Sequence, residues 1–463
     1  MVYDYSLMIR GARIYAPEDL GIGDIAVSNG KIAAVGADLP GSAEKEIDAS
    51  GLLAMPGILE THAHMLLPFG GTRTMNDFYD GTRAGAYGGV TTLIDFADQV
   101  KGGSILQAKA SRVALAGRQC AVDFSFHCTL TDITEETLQA IPALISEGFT
   151  SFKFYTAYKA GGLYVSCEDM ERAFRSIARH GGIATVHAED EAVINAATER
   201  LREQGRTSCR YFMESRPADA ERSAVRTLIS LARGTGVKLL IRHVSSAEGA
   251  RLIEDAQKEG LEVYGETCPH YLYFDESVYE KDNAADYIVN PPIRTAGDRE
   301  GIWRVLAGDT VFTIGTDDCA FYRCQKRVSD QFCDIPGGMP GIETRLVLLY
   351  ELGVRSGRIS MERLAEMTSA NPAKLYGLWP GKGALRAGSD ADIVLLNPDQ
   401  DYILQADMLH EKTDYTPFEG VRLHSRVEKT IFRGGILVDG GRDYAIPGAG
   451  NLLKRGAPQT AVR

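Results

Sequence analysis

The chain has 463 residues, 44% of them hydrophobic and 24% charged, and a formal net charge of −12 at pH 7. Such a length suggests two to four average domains, or one large barrel with a smaller addition. The composition is that of a globular protein, and the acidic balance argues against nucleic acid or an anionic membrane as partner, since either needs a basic face.

Eight cysteines (Cys120, Cys128, Cys167, Cys209, Cys268, Cys319, Cys324, Cys333) lack CxxC spacing and are too sparse for a disulfide framework. They read as reduced thiols of a cytoplasmic protein. The N-terminus lacks a basic stretch followed by an apolar one, and no window approaches eighteen consecutive apolar residues, so an unanchored chain is expected. Only the last dozen residues resemble a disordered tail.

Residues 5–58 alternate short apolar runs with turn signals: Ser6 to Ile14, Asp24 to Ser28, then Lys31 to Val35 after Asn29-Gly30. An Asn-Gly pair between two β-rich runs is a strong hairpin signal, which predicts an antiparallel sheet. From residue 52 the rhythm becomes apolar strand followed by amphipathic helix. Strands are predicted at Met55–Thr61, Thr92–Phe96, Val122–Cys128, Thr150–Tyr155, Ile183–His187, Lys238–His243, Leu261–Thr267 and Val311–Thr316, with helical spacing between them, as in Glu168–His180, Ala218–Arg233 and Ala247–Gly260. Eight such units indicate parallel strands closed into a (β/α)8 TIM barrel, whose functional residues sit at the C-terminal strand ends. Helices follow at Gly341–Ser356 and Met361–Leu378, and β pattern returns over residues 383–396, Val427–Phe432 and Gly435–Asp439. The predicted organisation is an α/β barrel over residues 55–383 and a small β-sandwich built from both termini, residues 1–54 and 384–463.

The drafted strand ends carry a pattern. Strand one runs into His62-Ala63-His64, strand four holds Lys153, strands five and six end at His187 and His243, and Asp317 follows strand eight. Two imidazoles two residues apart on extended chain point the same way. Any one of them alone is as well explained by a satisfied core histidine. Four of the nine histidines at strand ends, with an aspartate, favour a metal site. Five such ligands exceed the three of a typical catalytic zinc and suggest two metals about 3.5–4 Å apart. A bridging anion is then needed, and no glutamate stands among the drafted strand ends. Lys153, in Ser151-Phe152-Lys153-Phe154-Tyr155, is expected to be dry, with a depressed pKa, and a neutral amine can add CO2 to form a bridging carbamate.

Taken with Met55-Pro56-Gly57-Ile58, Gly88-Gly89-Val90-Thr91-Thr92, Val186-His187-Ala188-Glu189, Gly265-Glu266-Thr267-Cys268-Pro269, Asn290-Pro291-Pro292 and Gly388-Ser389-Asp390-Ala391-Asp392, these residues make the chain resemble the cyclic-amide hydrolases of the amidohydrolase superfamily, specifically the hydantoinase and dihydropyrimidinase group, over nearly its whole length. The resemblance implies that His62, His64 and Asp317 hold one zinc, that His187 and His243 hold another, and that N6-carboxylated Lys153 bridges the two Zn2+ ions. It also implies that the Tyr158 hydroxyl faces the scissile carbonyl and that Asp317 moves the proton to the leaving ring nitrogen. The product would be an N-carbamoyl amino acid. A homotetramer is implied too, with the helices after the barrel and the tail Leu452–Arg463 in its interfaces.

Three positions depart from the group's usual pattern. Asp318 follows Asp317 where a histidine is usual, adding a carboxylate that would alter the field at the metals or be mistaken for the ligand. Asn290 stands where hydantoinases often have serine, its backbone expected to contact the ring amide. Gly337 stands where asparagine is usual, keeping only backbone groups to clamp the imide. The loop Met65-Leu66-Leu67-Pro68-Phe69 has none of the arginine with which dihydroorotases hold a carboxylate, so Leu66, Leu67, Phe69 and Tyr155 are expected to shape a pocket for a ring with an uncharged or aromatic substituent. The alternatives are another cyclic amide hydrolase, allantoinase or dihydroorotase-like, and a non-catalytic assembly relative. Retention of every ligand position disfavours the latter.

Overall fold

The computed structural model describes residues 3–459. Eight parallel strands, Ile58–Glu60, Val90–Asp98, Asp123–Thr129, Ser151–Tyr155, Ile183–His187, Lys238–Ile241, Val263–Thr267 and Phe312–Ile314, pair in sequence order. Nearly all their residues are buried, which is why they read as continuous apolar runs rather than alternating ones. Helices return the chain between strands. Cys167–Arg179 is representative: Met170, Ala173, Phe174 and Ile177 form its buried stripe, and the Ser166 side chain caps it by accepting from the Asp169 N–H.

The barrel closes at its C-terminal rim. Beyond the last strand residues, His64 N–H donates to Asp318 O (2.9 Å) and Asp318 N–H to His62 O (3.3 Å), a parallel bridge between Ala63 and Asp318. Below it the buried Arg345 guanidinium bonds Ile314 O (2.7 Å) and Leu59 O (3.3 Å), joining the first and last strands where no ladder does.

The first predicted strand is two strands. Leu53–Pro56 belongs to the terminal sheet and Ile58–Glu60 to the barrel. The break falls at Gly57, where an added Cβ would lie 2.1 Å from Thr91 Oγ1, so only glycine lets the chain pass between the two sheets. The terminal sheet has nine strands, eight in one hydrogen-bonded path and Ala43–Asp48 pairing beside it with Tyr5–Tyr15, mostly antiparallel and drawn from residues 5–56 and 393–443. Its inward residues, among them Leu7, Ile9, Ile25, Val27, Ile393, Leu395 and Ile431, form one apolar core. The predicted hairpin is present, with Asn29 and Gly30 both left-handed (φ 53° and 73°). Lys382 joins sheet to barrel through Asp392 and Asp123, both at 2.6 Å. The two helices predicted after the barrel each change to π-helical winding, at Tyr350–Arg355 and Glu366–Ala370.

The C-terminal tail is neither free nor turned outward as far as it is described. Phe124 N–H donates to Asn451 O (2.9 Å), Leu453 N–H to Phe124 O (2.7 Å), and Arg455 is buried inside the barrel floor. Backbone pairing and one buried guanidinium hold a segment whose composition alone suggests disorder; residues 460–463 of the expected interface tail lie outside the described residues. Among the described residues no helix is long and apolar enough to cross a membrane.

Candidate active site

His62 and His64 project from the extended segment that closes the barrel, and both point their Nε2 atoms at Asp317 Oδ1, at 2.9 and 3.2 Å. Strands five and six bring His187 Nδ1 to 2.9 Å from His243 Nε2. The imidazoles of His62 and His243 lie 5.4 Å apart, and His62, His243 and Asp317 offer donor atoms within 4.8 Å of one another. The two ligand sets implied by the resemblance therefore form one connected cluster. Lys153 Nζ lies over the rings of Tyr155 (4.8 Å) and Phe96 (5.6 Å).

Four of these side chains, those of His62, His64, His243 and Asp317, lie beyond the regular strands. His243 and Asp317 have left-handed backbones (φ 39° and 52°), as do Tyr158 (68°) and Leu66 (52°). Non-glycine residues seldom adopt this region, and where they do the strain is typically held at functional sites. It also explains why the sixth and eighth strands end before their predicted limits.

Carboxylates behind the histidines fix their orientation. Glu266 Oε1 lies 2.5 Å from His62 Nδ1, and Glu189 Oε2 lies 2.8 Å from His187 Nε2. Arg242 pairs with Glu266 at 2.7 Å, and Arg216 forks onto Glu189. Burial alone would raise the Glu266 and Glu189 pKa values, but these arginines and the imidazoles outweigh it and hold both carboxyls below the ordinary range. The expectation of no glutamate at a strand end is thus corrected: Glu60 ends the first barrel strand and Glu266 lies in the seventh. Glu266 faces the His62 ring and Arg242, whereas Glu60 accepts from the His62 N–H at 2.8 Å and pairs with Arg345 at 3.1 Å. Glu189, Arg216, Arg242 and Glu266 stand outside the ligand pattern that the sequence shows. For Glu189 and Arg242 the signal is period-two spacing from His187 and adjacency to His243, whereas Arg216 and Glu266 stand near no ligand in the sequence.

This arrangement fits bound cations. With the outer nitrogens of His62 and His187 carrying their protons toward Glu266 and Glu189, lone pairs are left at His62 Nε2 and His187 Nδ1. His62 Nε2 then faces Asp317 Oδ1, two acceptors 2.9 Å apart with no hydrogen between them. Nδ1 of His64 and of His243 are buried without partners. Imidazole and carboxylate donors of this kind suit zinc and its neighbours. Burial, reinforced by Arg242, pushes Lys153 down to about 7, so a neutral amine is available near neutral pH.

The cluster forms the floor of a cavity of about 350 Å³ whose walls include Leu67, Phe69, Tyr155, Tyr158, Asn290, Gly337 and Cys319. Leu66 is not among the lining residues; its left-handed backbone takes part in the turn that bonds Asn76 O. Lys101, from the loop after the second strand, reaches the cavity wall without any motif to mark it in the sequence. Tyr158 stands 4.9 Å from the His187 ring, its N–H held by Glu191 at 2.7 Å. Asp318, the unusual neighbour of Asp317, does not face the ligands. Its Oδ1 accepts from Gly341 and Ile342 N–H (2.8 and 3.3 Å) and its Oδ2 from Asn76 Nδ2 (3.3 Å), and burial pushes its pKa up to about 7. The expected extra charge at the metals is corrected to a tie between the closing strand and the loop that follows.

A parallel eight-stranded barrel with imidazoles, a carboxylate and a dry lysine converging at its C-terminal rim belongs to the class of barrel hydrolases that act through metal ions. The Amidohydrolase family profile matches residues 53–437, and the chain belongs to the amidohydrolase family, in its hydantoinase and dihydropyrimidinase group. It is 36% identical to a D-hydantoinase of Geobacillus stearothermophilus over 459 residues, 97% of this chain and 96% of that one. It is 37% identical to a D-hydantoinase of Streptomyces coelicolor, over 92% and 93% of the two chains. The crystal structure of dihydropyrimidinase from Brevibacillus agri superposes with a TM-score of 0.95 at 34% identity, covering 97% of this chain and 98% of that one.

Proposed function

We propose that the protein is a binuclear-zinc hydrolase that opens the cyclic amide of hydantoins or dihydropyrimidines to N-carbamoyl amino acids. The observation carrying this reading is the acceptor-rich cluster of His62, His64, His187, His243 and Asp317 at the floor of a largely apolar cavity. N6-carboxylated Lys153 completes the ligand set, drawing on its dry, lowered amine. When bound, the two ions supply an activated water and polarise the ring carbonyl.

The chain's own residues supply the rest. The Asp317 carboxylate stands among the ligand imidazoles at the cavity floor, where it can take a proton and return it to the departing ring nitrogen. The Tyr158 hydroxyl donates to the carbonyl oxygen as negative charge grows there, and burial keeps that hydroxyl protonated. Leu67 and Phe69 exclude water from one side of the ring. In this reading the enzyme is cytoplasmic, supported by eight unpaired cysteines, and a homotetramer, supported by its likeness to the family.

The test is a side-by-side assay of hydantoin, dihydrouracil, allantoin and dihydroorotate with zinc-loaded protein. Turnover of hydantoin or dihydrouracil is expected to dominate; preference for dihydroorotate refutes the reading. Among 5-substituted hydantoins, phenyl and methyl should be favoured over carboxymethyl, and the reverse order refutes the apolar pocket and assigns a role to Lys101. Light scattering checks the tetramer.

A further inference from the structure

Glu221, in the first turn of the helix Ala218–Thr235, is buried and gathers the chain just past His243. Its Oε2 accepts from the Ser245 N–H (2.9 Å) and hydroxyl (2.5 Å), and its Oε1 from the Ser246 N–H (3.0 Å) and hydroxyl (2.6 Å). Other partners aim both hydroxyls this way. Arg294 Nε lies 3.0 Å from Ser245 Oγ and can only donate, and the Gly249 N–H donates to Ser246 Oγ at 3.0 Å, so each serine hydrogen is left for the carboxylate. Among the described residues no lysine or arginine pairs with Glu221, so these four bonds are what offsets its burial. The fold makes room for it: a Cβ added at Gly249 would lie 2.3 Å from Glu221 Oε1.

The segment gathered in this way begins at a strained residue. His243 has a left-handed backbone (φ 39°), a conformation that persists only where the surroundings over-determine it. Each N–H that follows is bound from outside the segment, that of Val244 by Glu266 O (2.6 Å) and those of Ser245 and Ser246 by Glu221. From Ser245 the contacts run on to the other imidazole of the pair. Arg294 spans from Ser245 Oγ to Arg216 O, and Arg216 forks onto Glu189, which holds His187 Nε2. His187 and His243 therefore hang on one buried network whose far end is Glu221.

We propose that Glu221 is a positioning residue for one of the two metal ions: by fixing Ser245 and Ser246 it holds His243 in its strained backbone, and through Arg294 and Arg216 it sets His243 against His187. Glu221 itself touches neither the ligand nitrogens nor the cavity. An amide cannot take its place. Each carboxylate oxygen receives one backbone N–H and one hydroxyl, so whichever way a glutamine amide turns, its NH2 group meets two donors, and the backbone N–H of the two cannot turn away. This inference rests on the binuclear reading above.

The experiment measures zinc content and zinc affinity, by elemental analysis and chelator competition, in the full-length parent and in Glu221→Gln, Glu221→Ala, Gly249→Ala, the Glu221→Ala/Gly249→Ala double variant and Val225→Ala. The parent should bind two ions. In Glu221→Gln one of them should bind about tenfold more weakly, the low end of what losing a partner behind a metal ligand costs, and the other should be unchanged. Gly249→Ala should weaken the same ion while Glu221 is present and add nothing in the Glu221→Ala background, where the shorter side chain leaves that space open. Val225, buried on the same helix, separates positioning from mere structure: Val225→Ala should lower the thermal midpoint and leave both ions bound as in the parent. If Glu221→Gln does not fold, Ser245→Ala, which removes one donor to Glu221 and the link to Arg294, is read in its place with the same expected direction. Unchanged affinity for both ions in the folded variant overturns the proposal, as does a loss spread evenly over both ions or matched by Val225→Ala. A parent that binds fewer than two ions instead overturns the binuclear reading, and this proposal with it.

Discussion

His187 Nδ1 lies 2.9 Å from His243 Nε2, while the other nitrogen of His187 is held by Glu189. Burial drives the His243 pKa well below its ordinary value, with His187 adding to it, so neither ring carries a positive charge at neutral pH and a cation between them is favoured. His243→Ala is expected to lower zinc content from two to about one per chain and activity by at least about 100-fold. Elemental analysis beside kcat checks it; a variant retaining both metals refutes the assignment.

Lys153 makes a pH-dependent prediction. Its amine is protonated in the unfolded chain up to about pH 10, whereas in the fold burial and Arg242 bring it to about 7. Between those values the unfolded state binds the extra proton, so the metal-free protein gains stability as pH rises from about 7 toward 10, with a slope approaching 1.4 kcal/mol per unit from this group. Thermal unfolding of the metal-free protein in CO2-free buffer should show this rise, and Lys153→Met should flatten it. The same variant should lose activity, and bicarbonate should speed metal loading of the parent more above pH 7 than below.

Lys326 gives three N–H groups to three carbonyls around the cavity, the pattern an ammonium suits and no apolar side chain can replace. Lys326→Met leaves those carbonyls without this partner and loosens the wall bearing Asn290 and Gly337. KM is expected to rise about tenfold with zinc content unchanged, the cost of losing one to two polar contacts. An unchanged KM in a folded variant would show that the wall holds itself.

Arg455 anchors a chain of contacts up the barrel axis. Its Nη1 donates to Ser151 Oγ (2.7 Å), which lies 2.6 Å from His127 Nδ1; His127 Nε2 is 2.9 Å from Arg242 Nη2, and Arg242 pairs with Glu266, the partner of His62. His127 Nε2 also lies 3.0 Å from Thr61 O, so the first strand joins the same chain of contacts. Arg455→Met is expected to lower stability by about 1–3 kcal/mol and to weaken zinc binding measurably in chelator competition. Gln459→Ala, at the exposed end of the same tail, should change neither.

Much of the architecture follows from local pattern. Eight apolar runs separated by amphipathic helices specify parallel strands covered on both faces, and Asn29-Gly30 specifies its hairpin, because each signal depends only on near neighbours. Gly57 shows the limit. Residues 55–61 read as one strand, and the break is set by Thr91, which presses on that backbone from the neighbouring strand.

The same division holds at the site. The sequence by itself determined which residue types end the strands, His62, His64, Lys153, His187, His243 and Asp317, because strand period and strand order bring such ends to one rim. Only the tertiary structure decided that Asp318 turns away, that Leu66 leaves the cavity wall, that Arg455 enters the barrel floor, and that Gly249 makes room for Glu221. Each depends on a contact between segments far apart in the chain or on a left-handed backbone, and neither is encoded in the spacing of residues along a strand or helix.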